Sequence, residues 1–467
     1  MRLLHGLART RAVFDDPNLL PNAGLVPLLA LADRAGLPEL LAAVRPAGPC
    51  GANTAAKAMC LVAGMAAGAG SIEGMGLLRD GAMETVFGGV RAPSTLGSFL
   101  RAFTWGNVRQ LDKAHRGLTA ALAADPRLLP GKEELAFIDV DSTQKRVYGY
   151  QKEGAAFGHA KVQGKSLLLK GLNPLISVIS TPLAAPVLGP VRLRGGNAGS
   201  ARGAAGLTAE AVGAAREAGC TGKIIARFDS AFYNSAVIRT AIRHGAHFSV
   251  TVPKNSSILA AIARIPQDAW TPIEYPQAIW DDQLECWISD AEVAVVPYTA
   301  FTSKKKNEQV TARLVVRRVR ARNEKEAQGQ GELFPVCRHH AVFTDSPFEI
   351  IQAEGQHRDH AIVEQVIADL YAGPLAHMPS GVFNANAAWP VLAAMAFNLL
   401  RAAGTRAGTR YAKARTATVR RGLIAIPART ARHGRGNLVL HLPEGHHREQ
   451  AWLNLWTEAT GPPAAAA

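Results

Sequence analysis

Residues 135–143 read LAFIDVDST, an almost wholly apolar run that still carries two carboxylates, Asp139 and Asp141. So short a run, bounded by polar residues, predicts a buried strand. Side chains two positions apart on a strand share a face, so both acids are expected on one side of a sheet. An ionised carboxylate in apolar surroundings is costly unless a metal ion or a cation meets it. Whatever sheet forms around this strand must therefore bring positive charge to it.

The neighbouring segments supply that sheet. KRVYGYQ, LLLKGLNPLISVIST, PVLGPVRLR, KIIARFDS and HFSVTVPKN each read as strands bounded by Gly, Pro or Ser. Residues 204–218 and 235–244 have helical spacing between them. This order predicts an α/β fold, a mixed sheet with helices packed on its faces.

Upstream, residues 25–44, 54–78 and 95–122 space their apolar residues by three and four, which predicts helices. In APSTLGSFLRAFTWGNVRQLDKAH, Ser94 or Thr95 can cap a helix and Gly106 with Asn107 can break it. Two readings stand: a helix-turn-helix presenting Arg101 and Arg109 to a DNA groove, or a plain helical bundle. Residues 256–347 hold a short helix, strand-like CWISDAEVAVVPYTAF and QVTARLVVRRVRAR, and the loop NEKEAQGQGE, which reads as an inserted β-rich unit. Helical signals resume over 356–404, and the chain ends in a basic stretch with a frayed PPAAAA. The expected division is 1–130, 131–255, 256–347, 348–405 and 406–467.

Charge narrows the function. The chain carries 52 Lys and Arg against 37 Asp and Glu, a net +15, which favours a polyanionic partner. Five scattered cysteines form no C-x-x-C pair, so neither a zinc site nor a disulfide framework is indicated, and a cytoplasmic protein is expected. The N-terminus lacks a secretion signal, and the apolar stretch 387–400, interrupted by Pro390 and Asn398, is too short to span a bilayer.

Phosphodiester cleavage needs an activated water and a stabilised leaving oxygen, which two carboxylate-held divalent ions can supply. Beside Asp139 and Asp141, Asp229 lies where the IIARF strand ends, a position equally suited to capping a turn. A third acid is Glu364 in HRDHAIVEQVIADLYAG. Ile362, Val363, Val366, Ile367 and Leu370 form an apolar stripe there, with His357, His360, Glu364 and Tyr371 on the other face. A solvated polar face would give the same pattern. Asp281, Asp282, Glu285 and Glu292 lie among turn-like residues and read as surface groups. FGHAKVQGKS is not a phosphate-binding loop, since five residues separate Gly158 from Gly164 where four are needed, and the histidines at 357 and 360 do not form H-E-x-x-H.

In the order of these parts, from about 137 to 403, the chain resembles bacterial insertion-sequence transposases of the DDE class. More narrowly, it resembles those with a β-rich insert in an RNase H-like core. FIDVDST with VYGYQKEGAAFGH resembles the first-aspartate strand and hairpin. RLRGGNAGS and RFDSAFY resemble the second-aspartate region, and HRDHAIVEQVIADL with PSGVFNANAAW and MAFNLLRAAG resembles the glutamate helix and its successor. The resemblance implies Asp141, Asp229 and Glu364 as the catalytic, metal-holding acids, with Asp139 supporting them. It also implies two Mg²⁺ or Mn²⁺ ions, terminal inverted repeats and target DNA as partners, and a homodimer on DNA. One departure is plain. Where the related pattern has Tyr, Arg and Lys around the glutamate, this chain has His357, His360 and Tyr371. Protonated His357 and His360, or Arg358, are then expected to contact phosphate.

Two dense basic stretches suit duplex DNA, which is bound largely through its phosphates. Residues 304–322 hold eight Lys or Arg and one acid, among them Lys304, Lys305, Lys306, Arg317, Arg318 and Arg320. Residues 401–435 hold ten and none, among them Arg420 and Arg421. Trp280 and Trp287 read either as core residues or as platforms for a displaced base.

Overall fold

The computed structural model describes residues 6–149, 151–162, 165–273, 280–281, 286–287, 291–320 and 337–461. Asp282, Glu285, the loop 323–332 and the terminal PPAAAA lie outside the described residues.

Among the described residues the longer α-helices before the sheet are α1 (Leu25–Arg34), α2 (Leu37–Ala42), α3 (Thr54–Ala67), α4 (Pro93–Arg101) and α5 (Trp105–Ala123), with one short α-helical turn at Met83–Val86 between α3 and α4. Helices α4 and α5 are separated at 102–104, ahead of Gly106 and Asn107. Pro93 occupies the start of α4, where its fixed φ suits the helix. Thr104 and Asn107 close a reciprocal cap, with the Thr104 N–H donating to Asn107 Oδ1 at 3.0 Å, so Asn107 starts α5 rather than breaking its predecessor. Arg109 is held in ion pairs. It bonds Asp112 on its own helix at 2.7 Å and Glu210 of the next helical layer at 2.9 Å.

At the centre of the sheet, β1 (Leu135–Ser142) lies antiparallel to β3 (Lys165–Ser180) and parallel to β5 (Lys223–Phe228). Strands β2 (Ala156–Val162) and β4 (Val187–Gly195) pair with β3, and β6 (His247–Thr251) runs parallel to β5. The helices α6 (Ala204–Glu217) and α7 (Ser235–Arg243) connect β4 to β5 and β5 to β6. KRVYGYQ gives only a two-residue bridge, Lys145–Arg146, because Gly149 at φ 97° turns the chain away from the ladder. Of FGHAKVQGKS, the described residues fall on β2 and the start of β3, with no helix among them. Gly158 is required there, since a Cβ would lie 2.2 Å from the Gly196 carbonyl oxygen.

After α8 (Ser256–Ala263), the insert contributes β7 (Thr271–Ile273), β8 (Ala291–Ala300), β9 (Val310–Arg320) and β10 (Cys337–Thr344). Because β10 pairs antiparallel with β6, these strands extend the core sheet to eleven rather than forming a separate body. The added strands cover backbone groups that would otherwise leave β6 as an open edge. CWISDAEVAVVPYTAF divides: Cys286–Trp287 pairs with Trp280–Asp281 as a small ladder, setting Trp280 opposite Trp287 in register, and β8 begins at Ala291.

Helical structure resumes at α9 (Ile350–Arg358), kinks through a 3₁₀ turn at Asp359–Ala361, and continues as α10 (Ile362–Tyr371). Helix α11 (Phe383–Ala407) is longer than the apolar stretch within it. By length and composition alone it could cross a bilayer, yet it is buried in the protein and packs against α3, α5 and β4. Its buried Asn398 is satisfied by neighbours: the Leu188 N–H donates to Oδ1 at 2.7 Å, and Nδ2 donates to Leu188 O and Thr119 Oγ1, each at 2.9 Å.

The basic C-terminal stretch folds back rather than trailing. Ala428–Arg432 pairs with Leu19–Leu20, and α12 (Glu449–Thr460) packs on α1 and α11. One contiguous apolar core therefore runs from Leu20 to Ala459.

Candidate active site

The parallel register of β1 and β5 sets Asp139 beside Arg227 and Val140 beside Phe228. One step on, Asp141 stands next to Asp229 at the ends of strands about 4.8 Å apart. Alternation puts Asp139, Arg227, Asp141 and Asp229 on one face. Asp229 is half-buried and also caps a turn, its Oδ1 accepting the Ala231 N–H at 2.9 Å.

The two acids of FIDVDST meet opposite conditions. Asp139 is fully buried, and burial alone would raise its carboxyl. Arg227 meets it with two bonds of 2.6 and 2.7 Å, and His360 Nδ1 lies 2.9 Å from Oδ1. These groups outweigh the burial and hold Asp139 below the ordinary carboxylate range. Arg227 is itself buried, lies 4.1 Å over the Phe137 ring, and donates to the Gln356 carbonyl at 2.5 Å.

Asp141 has no such partner. Its Oδ1 accepts its neighbour Ser142's N–H at 2.6 Å. Burial pushes its carboxyl up to about 6 and the charge of Asp229 adds to the rise, with a smaller push from Glu364; the Ser142 N–H and His360 oppose. Positive charge is what this end of the sheet lacks.

Helix α10 lies across the same strand end. Val363, Val366, Ile367 and Leu370 are buried, Ile362 is half-buried, and Glu364 is exposed. Tyr371, one face-repeat from Glu364, donates to Thr143 Oγ1 at 3.0 Å, with Lys145 Nζ 4.5 Å from its ring centroid. Hard carboxylate oxygens at the Asp141–Asp229 pair suit a divalent cation in type and charge. As the side chains stand, no three of Asp, Glu, His or Cys among the described residues are gathered closely enough to hold an ion.

The expected phosphate contacts divide sharply. His357 does not present a cation. From the last turn of α9 it points inward, where Nδ1 meets Ser249 Oγ at 2.8 Å and Nε2 meets Thr251 Oγ1 at 2.9 Å. Burial, then the charges of His360 and Arg227, lower it to about 3, so it stays neutral. His360 sits at the site edge, raised because its bond and charge interaction with Asp139 exceed the effect of its burial. Arg358 reaches Glu354 at 3.5 Å from a partly exposed position. In the insert, Arg317 pairs with Glu354 at 3.1 Å. Arg318 pairs with Glu292 at 2.6 Å and lies 4.2 Å over Trp270, so Glu292 is a counter-ion in the sheet. Lys304, Lys305 and Lys306 are exposed, Arg320 ends β9, and Arg421 is exposed beside a half-buried Arg420.

The residue missed from sequence is Arg227. Its signal was present: KIIARFDS sets a charge two positions before Asp229, as FIDVDST sets Asp139 two before Asp141. Parallel pairing turns those two matching spacings into one ion pair.

The chain matches the family described as "Transposase DDE domain group 1" over residues 8–458. No curated protein matches it. The matched span takes in the N-terminal helices and α12, the same elements that share the apolar core.

Proposed function

This chain belongs to the transposase DDE domain family, group 1, and from that premise we propose that it cuts DNA at the ends of an insertion sequence and joins them to target DNA. Asp141, Asp229 and Glu364 are the catalytic acids in this reading. The observation that supports it most is the placement of Asp141 and Asp229 one step beyond Val140 and Phe228, the last paired residues of β1 and β5, where burial and the charge of Asp229 raise Asp141 to about 6. Such a pair is poised to take up positive charge. When bound, two Mg²⁺ or Mn²⁺ ions would supply Lewis acidity for water activation and for the leaving oxygen. Glu364, exposed on α10, would complete the donor set.

The remaining roles follow from placement. Asp139 and Arg227 brace β1 against β5 and hold the His360 ring beside Asp141. His360 and Arg358 face phosphate at the site, while Lys304, Lys305, Lys306, Arg320, Arg420 and Arg421 hold DNA further out. The N-terminal helices recognise the terminal inverted repeats, and two copies act together on the paired ends.

The test uses a duplex carrying the element's inverted repeat, incubated with Mg²⁺ and resolved for nicked and joined strands. Asp141→Asn, Asp229→Asn and Glu364→Gln are each expected to reduce cleavage to the uncatalysed background while binding persists. Normal nicking by one of them removes that residue from the assignment. Wild-type protein that nicks but never joins overturns the strand-transfer half.

A further inference from the structure

β3 is much longer than the strand it flanks. Its inner residues Leu175–Ser180 pair with β1, while residues 165–171 continue outward with only β2 and the Lys145–Arg146 bridge beside them. At about 3.3 Å per residue this outer half is a two-stranded ribbon roughly 20 Å long, starting four residues beyond Leu175, the partner of Ser142 at the end of β1. The ribbon is a continuation of the same strand, β3, whose Ile176 pairs with Asp141.

Its surface differs from an ordinary exposed hairpin. Phe157 lies opposite Lys170, and His159 opposite Leu168, so these four share one face. Phe157 is 60% exposed and Leu168 57%, while Tyr148 at the base is 69% exposed with the Arg146 guanidinium 4.9 Å over its ring. Residues 143–171 contain six Lys or Arg and a single acid, Glu153. That acid is turned back to the body, accepting the Phe383 N–H at 2.7 Å. Lys152 is likewise turned to the body, donating to the Ser380 carbonyl at 3.1 Å, and Lys145 lies over Tyr371, which leaves Arg146 and Lys170 as the described cations beside the exposed Phe157, Leu168 and Tyr148. Apolar and aromatic surface beside cations, with the one negative charge withdrawn, complements a polyanion with stackable or methyl-bearing surfaces.

We propose that this ribbon is a DNA-gripping wing that lies in a groove of the duplex immediately beside the cleaved phosphate. A two-stranded ribbon fits the major groove, and about 20 Å of it spans roughly six base pairs. Phe157 and Leu168 pack against base edges with Lys170, on their face, at a phosphate, while Arg146, paired with Gly171 and so on the opposite face at the base of the ribbon, takes a flanking phosphate. The wing rests on the transposase reading for its partner, but it needs no cleavage to be observed.

The experiment measures fluorescence anisotropy of a mixed-sequence duplex with the full chain across a salt series, without divalent ions. Losing two phosphate contacts in Arg146→Ala/Lys170→Ala lowers the slope of log affinity against log salt by about 1.8. Phe157→Ser/Leu168→Ser weakens binding about tenfold with the slope unchanged. Circular dichroism and melting verify that both variants are folded. Folded variants that match wild type in slope and affinity overturn the wing while leaving the active-site assignment standing. A shift in oligomeric mass for the Phe157/Leu168 variant with unchanged DNA affinity also overturns it, assigning the face to a second copy. Wild-type protein that binds no duplex at all overturns both the wing and the transposase function.

Discussion

Replacing Arg227 with methionine keeps an unbranched stem over Phe137 but strips Asp139 of both guanidinium bonds and Gln356 of its donor. Asp139 has no solvent to turn to, being fully buried. Removing one partner of a buried ion pair costs about 3–5 kcal/mol, because the other charge remains uncompensated. Set against a total stability of about 5–15 kcal/mol, that is a loss of some 10²–10⁴ in the folding equilibrium. The pH dependence identifies the cause. In the wild type, Asp139 is held below 3.8, so its contribution is present above that value and lost as pH falls through the folded pKa. Without Arg227, burial dominates and the folded pKa rises above the unfolded one. The variant's deficit is then largest at neutral pH and shrinks on acidification, as the buried carboxyl takes a proton. Urea unfolding followed by circular dichroism at neutral and mildly acidic pH measures both effects. The double variant Asp139→Leu/Arg227→Met should regain most of the loss, since neither charge is left buried. A deficit under about 1 kcal/mol, or one that does not change with pH, would refute the reasoning.

Asp141→Asn, measured in chelator, should stabilise the protein by roughly 1–3 kcal/mol near neutral pH. The raised folded pKa of about 6 against 3.8 means that ionising Asp141 costs stability, so the gain should vanish below about pH 4; added Mg²⁺ should raise the Tm of wild type and not of this variant. His115 and His357 are buried and lowered from 6.5 to about 4 and about 3, so the unfolded chain takes up protons that the fold refuses. Stability should fall as pH drops below 6.5, and His357→Gln should flatten that fall in denaturant midpoints. Asn398→Leu removes the acceptor of the Leu188 N–H and the donor to Leu188 O, and should cost about 2–4 kcal/mol in urea unfolding without changing the salt dependence of DNA binding.

Local chemistry was enough to place most of the sheet strands and the helices before them, because apolar periodicity and turn residues act over a few positions. FIDVDST announced a strand with two same-face carboxylates, and IADLY announced a helix with a buried stripe below Glu364. Distant pairing decided the rest. Only the β1–β5 register turns Arg227 into the counter-charge of Asp139, leaving Asp141 as the acid without a partner. Only the fold buries His357 against Ser249 and Thr251, so that it stays stacked beside His360 yet neutral. The insert became part of the core sheet because β6 offered an edge, and the basic tail became part of the body because α12 had an apolar face to bury. Charge and periodicity belong to neighbours along the chain; which charges meet depends on strands and helices far apart in sequence, and burial then decides which stay ionised.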